Sequence, residues 1–178
     1  LGNEAPELFN AIEFGKTDVV TRLIENSSLV NAENPDGLTP LLFAASKNKT
    51  EIVKVLVDHG ADVNSRDYSN STPLHEAVQY GTLEMIEFLI SRGAKVNVED
   101  SIQWTPLHKV ARFGKMQILK YLVEHGADVN SRDTDNRTPL HWAYKGTLEM
   151  IEFLITHGAK VNAEDNRKMT PLHNVAGY

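Results

Sequence analysis

The chain has 178 residues, 41% of them hydrophobic, no cysteine and a formal net charge of −6. Charges interrupt every apolar run well short of the roughly 18–20 residues a bilayer-crossing helix needs, and without cysteine there is no disulfide frame, thiolate nucleophile or sulfur-ligated metal centre. The acidic balance, with no dense Lys/Arg cluster, argues against a nucleic-acid backbone as partner and against membrane insertion. No basic-apolar leader opens the chain, so an intracellular, reducing location, cytoplasmic or nuclear, is expected. A start at Leu1 rather than Met points to a fragment or a processed chain.

From the N-terminus, Leu8, Phe9, Ala11 and Ile12 form a short apolar stripe, Gly15 a break, and Val19, Val20, Leu23 and Ile24 a second stripe. Two short helices are predicted there. From Thr39 onward a phrase recurs: Thr39-Pro40-Leu41-Leu42, Thr72-Pro73-Leu74-His75, Thr105-Pro106-Leu107-His108, Thr138-Pro139-Leu140-His141 and Thr170-Pro171-Leu172-His173, with threonines 33, 33, 33 and 32 residues apart. Threonine suits a helix N-cap and proline the first helical position, where its missing N–H costs nothing. Each phrase therefore starts a first helix, which is predicted to stop near Asn48, Gly81, Gly114 or Gly146 in a left-handed turn. A second helix follows at once. Over Thr82–Arg92 its apolar residues Leu83, Met85, Ile86, Phe88, Leu89 and Ile90 cover more than one side, so it needs neighbours on both. Gly60, Gly93, Gly126 and Gly158 close the second helices, each opening a Gly-Ala-x-Val-Asn phrase that ends at Asn64, Asn97, Asn130 or Asn162.

Two phrases linked at one period make the chain resemble the ankyrin repeat family, whose marks are a 33-residue period and a Thr-Pro-Leu-His signature. The resemblance implies an all-α repeat solenoid: stacked helix-turn-helix units joined by β-hairpin fingers, with an extended concave face. Units are expected at 1–33, an atypical N-terminal cap, then 34–66, 67–99, 100–132, 133–164 and a truncated 165–178. The unit at 133–164 is one residue short where Ala143-Tyr144-Lys145-Gly146 aligns with Ala77-Val78-Gln79-Tyr80-Gly81, which predicts a shorter first helix or a tighter turn. The last unit lacks a second helix, so an apolar face is expected to lie open there, covered by further chain or by self-association.

Site chemistry is sparse. His75, His108, His141 and His173 share one offset, so neighbours should lie about 10 Å apart, too far to share a zinc bound at about 2.1 Å. Local backbone hydrogen bonding is the simpler role. No phosphate loop, His-Glu-x-x-His or Gly-x-Ser-x-Gly occurs, and acid pairs such as Glu99-Asp100 and Glu164-Asp165 read as solvated turn residues. Catalytic, metal and cofactor sites are therefore expected to be none. Asp62, Lys95, Asp128, Lys160 and Arg66, Glu99, Arg132, Glu164 alternate in sign at two offsets, either a duplication relic with modest pairing or a contribution to recognition. The resemblance also makes Asn64, Asn97, Asn130 and Asn162 possible hydroxylation targets, although an Asn bonding backbone in a turn explains them equally.

The family resemblance puts partner contacts at finger tips and first-helix faces. On this chain those are Tyr68, Ser69, Ser71, Ile102, Trp104, Asp135, Arg137 and Met169 at tips, and Gln79, Tyr80, Arg112, Phe113 and Lys145 on first helices. Aromatic and Arg residues dominate interface energies, which predicts a contact stripe centred on Trp104 and Phe113; the competing reading has hydrophobic tips cover their own neighbours. The turn glycine two positions before Thr survives only as Gly37. Gln103 and Lys168 tolerate its conformation poorly, so their fingers should be strained or reshaped. The function these features imply is a non-catalytic module binding a protein through the concave face. Alternatives are a targeting segment of a larger enzyme, or a small-molecule or nucleotide receptor using the same aromatics.

Overall fold

The structure is a computed structural model that describes residues 4–25 and 28–176. Among these residues there are eleven α-helices and no strand: α1 (Glu4–Glu13), α2 (Thr17–Ile24), α3 (Pro40–Ser46), α4 (Thr50–Asp58), α5 (Pro73–Tyr80), α6 (Leu83–Ser91), α7 (Pro106–Phe113), α8 (Met116–Glu124), α9 (Pro139–Trp142), α10 (Leu148–Thr156) and α11 (Pro171–Ala176). They form two compact units, Leu1–Lys95 and Val96–Tyr178. In the first, α1, α3 and α5 pack side by side in one layer and α2, α4 and α6 in another; in the second, α7, α9 and α11 form one layer and α8 and α10 the other.

Each full-length first helix begins at the proline of its Thr-Pro phrase, with the threonine extended at the N-cap. The buried side chains are those of the two apolar stripes: Leu41, Leu42, Ile52, Leu56, Leu74, Ile86 and Leu89 in the first unit, and Leu107, Leu119, Leu122, Leu140 and Leu154 in the second. Burying a side chain of this size stabilises by about 1.5–3 kcal/mol, far more than the cap that places it. The second helices end as predicted, at Gly60, Gly93, Gly126 and Gly158 with φ of +88°, +92°, +88° and +90°.

First helices end in two ways. Asn48 and Gly114 are left-handed, at φ +54° and +70°, as expected. Gly81 and Gly146 are not: their φ values are −86° and −77° with extended ψ. Here the chain passes directly into a threonine N-cap, Thr82 or Thr147, whose Oγ1 accepts the N–H of Met85 or Met150. Glycine is needed for space instead. A Cβ at Gly81 would stand 2.7 Å from the Ala77 carbonyl oxygen and 3.0 Å from Met85 Sδ, and one at Gly146 2.8 Å from Met150 Sδ. The one-residue deletion has the expected effect, since α9 has only four residues and continues as a 3-10 turn over Ala143–Lys145.

Asparagine side chains tie consecutive loops together. Asn64 Nδ2 donates to the Gly93 carbonyl at 3.0 Å while its Oδ1 accepts the Lys95 N–H at 2.9 Å. Asn31 makes the same pair of bonds to Gly60 and Asp62, Asn97 to Gly126 and Asp128, and Asn130 to Gly158 and Lys160. The turn role expected of this residue thus becomes a two-bond link to the following unit.

Candidate functional site

The expected β-hairpin fingers contain no strand among the described residues. Each closes with two backbone bonds: Asp67 N–H to Ser71 O, Asp100 to Trp104, Asp133 to Arg137 and Asp165 to Met169, and in return the N–H groups of Asn70, Gln103, Asn136 and Lys168 to the carbonyls of Asp67, Asp100, Asp133 and Asp165. A carboxylate takes the donors that a ladder would use: Asp67 Oδ1 accepts from Ser69 and Ser71, Asp100 Oδ1 from Ile102 and Trp104, Asp133 Oδ1 from Asp135 and Arg137, and Asp165 Oδ1 from Arg167 and Met169. Asn34 does the same for Asp36 and Leu38. This is the local Asx bonding that competes with sheet structure, and the proline after each threonine removes a further donor. The fingers of Gln103 and Lys168 keep the common shape, with φ of +59° and +63°. They are strained rather than reshaped.

The expectation that Asp165 is a solvated turn acid is corrected, for it is buried. Burial pushes its carboxyl up, but the N–H groups of Met169 and Arg167 and the Arg137 guanidinium outweigh that and hold it below the ordinary range. What could have revealed this role is the recurrence of Asn34, Asp67, Asp100, Asp133 and Asp165 at the period of the threonines.

The histidines of the signature join fingers to helices. In each, Nδ1 accepts the N–H of the threonine three residues earlier, at 3.2 Å for His75, 3.1 Å for His108 and 3.0 Å for His141. A backbone N–H can only donate, so the ring proton is on Nε2. Nε2 then donates to the next finger, His108 to the Arg137 carbonyl and His141 to the Met169 carbonyl, both at 3.2 Å. Burial lowers the pKa of both rings and keeps them neutral.

Between these fixed fingers the second unit builds a cluster of two tryptophans and two arginines. Trp104 and Trp142 meet edge to face, with centroids 4.7 Å apart. Both indole N–H groups donate to Asp133 Oδ2, at 3.2 and 2.9 Å. The Arg112 guanidinium lies 5.4 Å from each ring, and that of Arg137 lies 5.2 Å from Trp142. Arg137 is also paired with Asp165 at 3.2 Å and Asp135 at 3.5 Å.

Exposure separates the thirteen predicted contact residues. Tyr68 is 77% exposed, Tyr80 49%, Ile102 47% and Phe113 44%, and Ser69, Asp135 and Lys145 are exposed too. Trp104 is only 8% exposed; centring a stripe on it is corrected, because Trp142 and Asp133 enclose its ring. Ser71 is buried as well, with its hydroxyl donating to Glu76 at 3.0 Å. Gln79, Arg112, Arg137 and Met169 are half-buried; Gln79 donates to the Tyr80 hydroxyl and the Met169 carbonyl accepts from His141. Tyr68 lies against the preceding finger, its ring where a Cβ on Gly37 would be. Trp142 and Asp133 were missed because each reads alone as a core aromatic or a turn acid.

In the alternating-charge series, the Arg132–Glu164 step is a bond to backbone. Arg132 donates to the carbonyls of Asn136 and Glu164, while the Glu164 carboxylate pairs with Lys168. Ion pairs between repeats include Lys54 to Glu84 and Lys120 to Glu149 on the second helices, Arg92 to Asp58 at their ends, Lys47 to Glu13 at the ends of first helices and Arg137 to Asp165 between fingers. Apolar residues remain exposed on the last described elements, Leu148, Ile155, Val161 and Leu172. No described helix is long and apolar enough to cross a membrane. A family model described as ankyrin repeats (3 copies) matches residues 8–100 and 98–165. None of the curated proteins compared with the chain matches it.

Proposed function

The chain belongs to the ankyrin repeat family, and we propose that it is a non-catalytic module that binds a partner protein through its finger tips and first-helix faces. The observation that carries this reading is the exposure of large apolar side chains at those places, Tyr68, Tyr80, Ile102 and Phe113, on a frame whose own core is filled by Leu, Ile and Met. Residues of this kind supply most of the energy of an interface when a partner covers them. The frame supports the reading energetically, because fingers held by Asx carboxylates, histidine links and asparagine pairs lose little freedom on binding.

The experiment is affinity capture from the source cell with the wild-type chain beside Ile102→Ala/Phe113→Ala. Proteins kept by the wild type and lost by the variant, at unchanged melting temperature, support the reading. Identical capture by the two places the contact elsewhere. Trp104→Ala is unsuited to this test, since it empties a packed site.

A further inference from the structure

Arg112 and Arg137 lie against the same indole and differ in one respect. Both guanidinium groups cover the Trp142 ring. Arg137 is neutralised by Asp135 and by the buried Asp165. Arg112 makes no hydrogen bond or ion pair with any described residue; its guanidinium also lies over the Trp104 ring. A contact with a ring supplies no oxygen acceptor, so the N–H donors of such a guanidinium can still be taken by a ligand. Five such donors in a rigid fork match the two oxygens of a carboxylate, and a charge-assisted pair of this type is roughly twice as strong as a neutral one.

The support under Arg112 is preorganised. One carboxylate, Asp133, holds both indole N–H groups and two backbone N–H groups at once, so neither ring can turn without breaking a bond. Beside Arg112 in sequence stands the exposed Phe113, and α7 ends against the turn that bears the exposed Lys145, whose carbonyl oxygen is 3.3 Å from where a Cβ on Gly114 would be. The immediate surroundings therefore combine a cation whose N–H donors have no acceptor among the described residues, a second cation and an apolar ring. The chain as a whole carries −6 and the Asp135 carboxylate is exposed, so a polyphosphate meets more repulsion than a single carboxylate does.

We infer that Arg112, laid across the Trp104–Trp142 pair, receives an Asp or Glu carboxylate from an acidic peptide segment of the partner protein, with an apolar neighbour of that residue resting on Phe113. This rests on the finger-tip and first-helix reading and adds the chemistry of its ligand.

The test pans short random peptides displayed on phage against the whole chain at physiological ionic strength. Selected peptides should carry an acidic residue beside a large apolar one. Binding is read by indole emission, since both tryptophans of the chain lie beneath Arg112. Changing that acid to its amide should weaken binding to the wild-type chain on the order of 10-fold, a comparison that needs no protein variant. Arg112→Gln should lose about as much for the acidic peptide and no longer distinguish acid from amide, the coupling expected of a direct pair. Peptides that need Phe113 but show no acid preference would overturn the carboxylate assignment and leave the contact surface standing. Acid-dependent binding unchanged in Arg112→Gln also overturns it. An oligothymidine that binds with the same Arg112 dependence and displaces the peptides would replace the peptide with a phosphate backbone. Failure to select any peptide that distinguishes the wild type from Arg112→Gln/Phe113→Ala overturns both readings.

Discussion

Asp133→Asn is the substitution that best probes the cluster. The carboxylate accepts the N–H groups of Asp135 and Arg137 on Oδ1, at 3.0 and 2.8 Å, and the indole N–H groups of Trp104 and Trp142 on Oδ2, at 3.2 and 2.9 Å. An amide of the same shape has one acceptor and one donor end. Whichever way it turns, two N–H donors face an NH₂ group. If the backbone bonds are kept, both indole donors lose their acceptor, and a buried unsatisfied donor costs about 1–3 kcal/mol. Trp104 is buried and Trp142 half-buried, so the second donor recovers some hydration and the expected loss is about 3 kcal/mol. Asp100→Asn is the matched control. Its Oδ1 accepts only the backbone N–H groups of Ile102 and Trp104, which an amide oxygen can keep, so it should cost less than about 1 kcal/mol. Urea unfolding followed by indole fluorescence reports the right region even if repeats unfold in stages. Equal costs for the two variants would refute the shared-acceptor reasoning, as would an undiminished Asp133→Asn cost in a Trp142→Phe background, where one indole donor is already gone.

Three further outcomes follow from backbone and titration. Gln103→Gly and Lys168→Gly relieve left-handed residues at φ +59° and +63° and should each stabilise by about 0.5–1 kcal/mol, the αL penalty less the entropy cost of glycine; a melting temperature that fails to rise argues against strain. Gly81→Ala should destabilise by about 1–3 kcal/mol through overpacking against the Ala77 carbonyl and Met85, and pairing it with Met85→Ala should recover only the sulfur's share of that cost. His108 and His141 have pKa values lowered by burial, so below about pH 6.5 the unfolded chain binds more protons than the folded one. The stability they contribute is present above that pH and falls as the solution is acidified, by up to about 1.4 kcal/mol per pH unit for each ring. Urea midpoints measured from neutral to mildly acidic pH should show this slope, and His108→Gln/His141→Gln should flatten it.

How much was legible follows from how local each signal is. Thr-Pro and the glycines after the second helices act through their own backbone, so helix starts and the left-handed ends could be read directly, as could the consequence of the deletion before Gly146. Gly81 and Gly146 were not legible, because glycine serves two needs, positive φ and absence of a Cβ, and only the packed Met85 or Met150 decides between them. That the described fingers carry no strand has a related cause: a carboxylate at the finger base captures N–H groups that a longer strand pair would use. Trp104 was misjudged because its burial depends on Trp142, thirty-eight positions on in α9 (104 to 142). At the tips, Tyr68, Ser69, Ile102 and Asp135 are exposed, whereas Ser71 and Trp104 are buried by partners that lie elsewhere in the sequence.

The residue just before each threonine shows how such a frame accommodates a specific surface. Leu38, Ser71, Trp104, Arg137 and Met169 all give their backbone N–H to the Asx side chain at the base of the same finger. That bond does not involve the side chain, which is therefore free to vary at no cost to the turn. In the second unit two of these side chains use the freedom alike: Trp104 donates to Asp133 Oδ2 and Arg137 donates to Asp165 Oδ2, each reaching the base of the next finger. An Asx carboxylate thus has one oxygen for its own turn and one for its neighbour's side chain. Arg112 reaches this surface from a first helix rather than a finger, and no Asx oxygen is positioned for it. Its guanidinium N–H groups are the donors of the cluster that the frame leaves without an acceptor among the described residues.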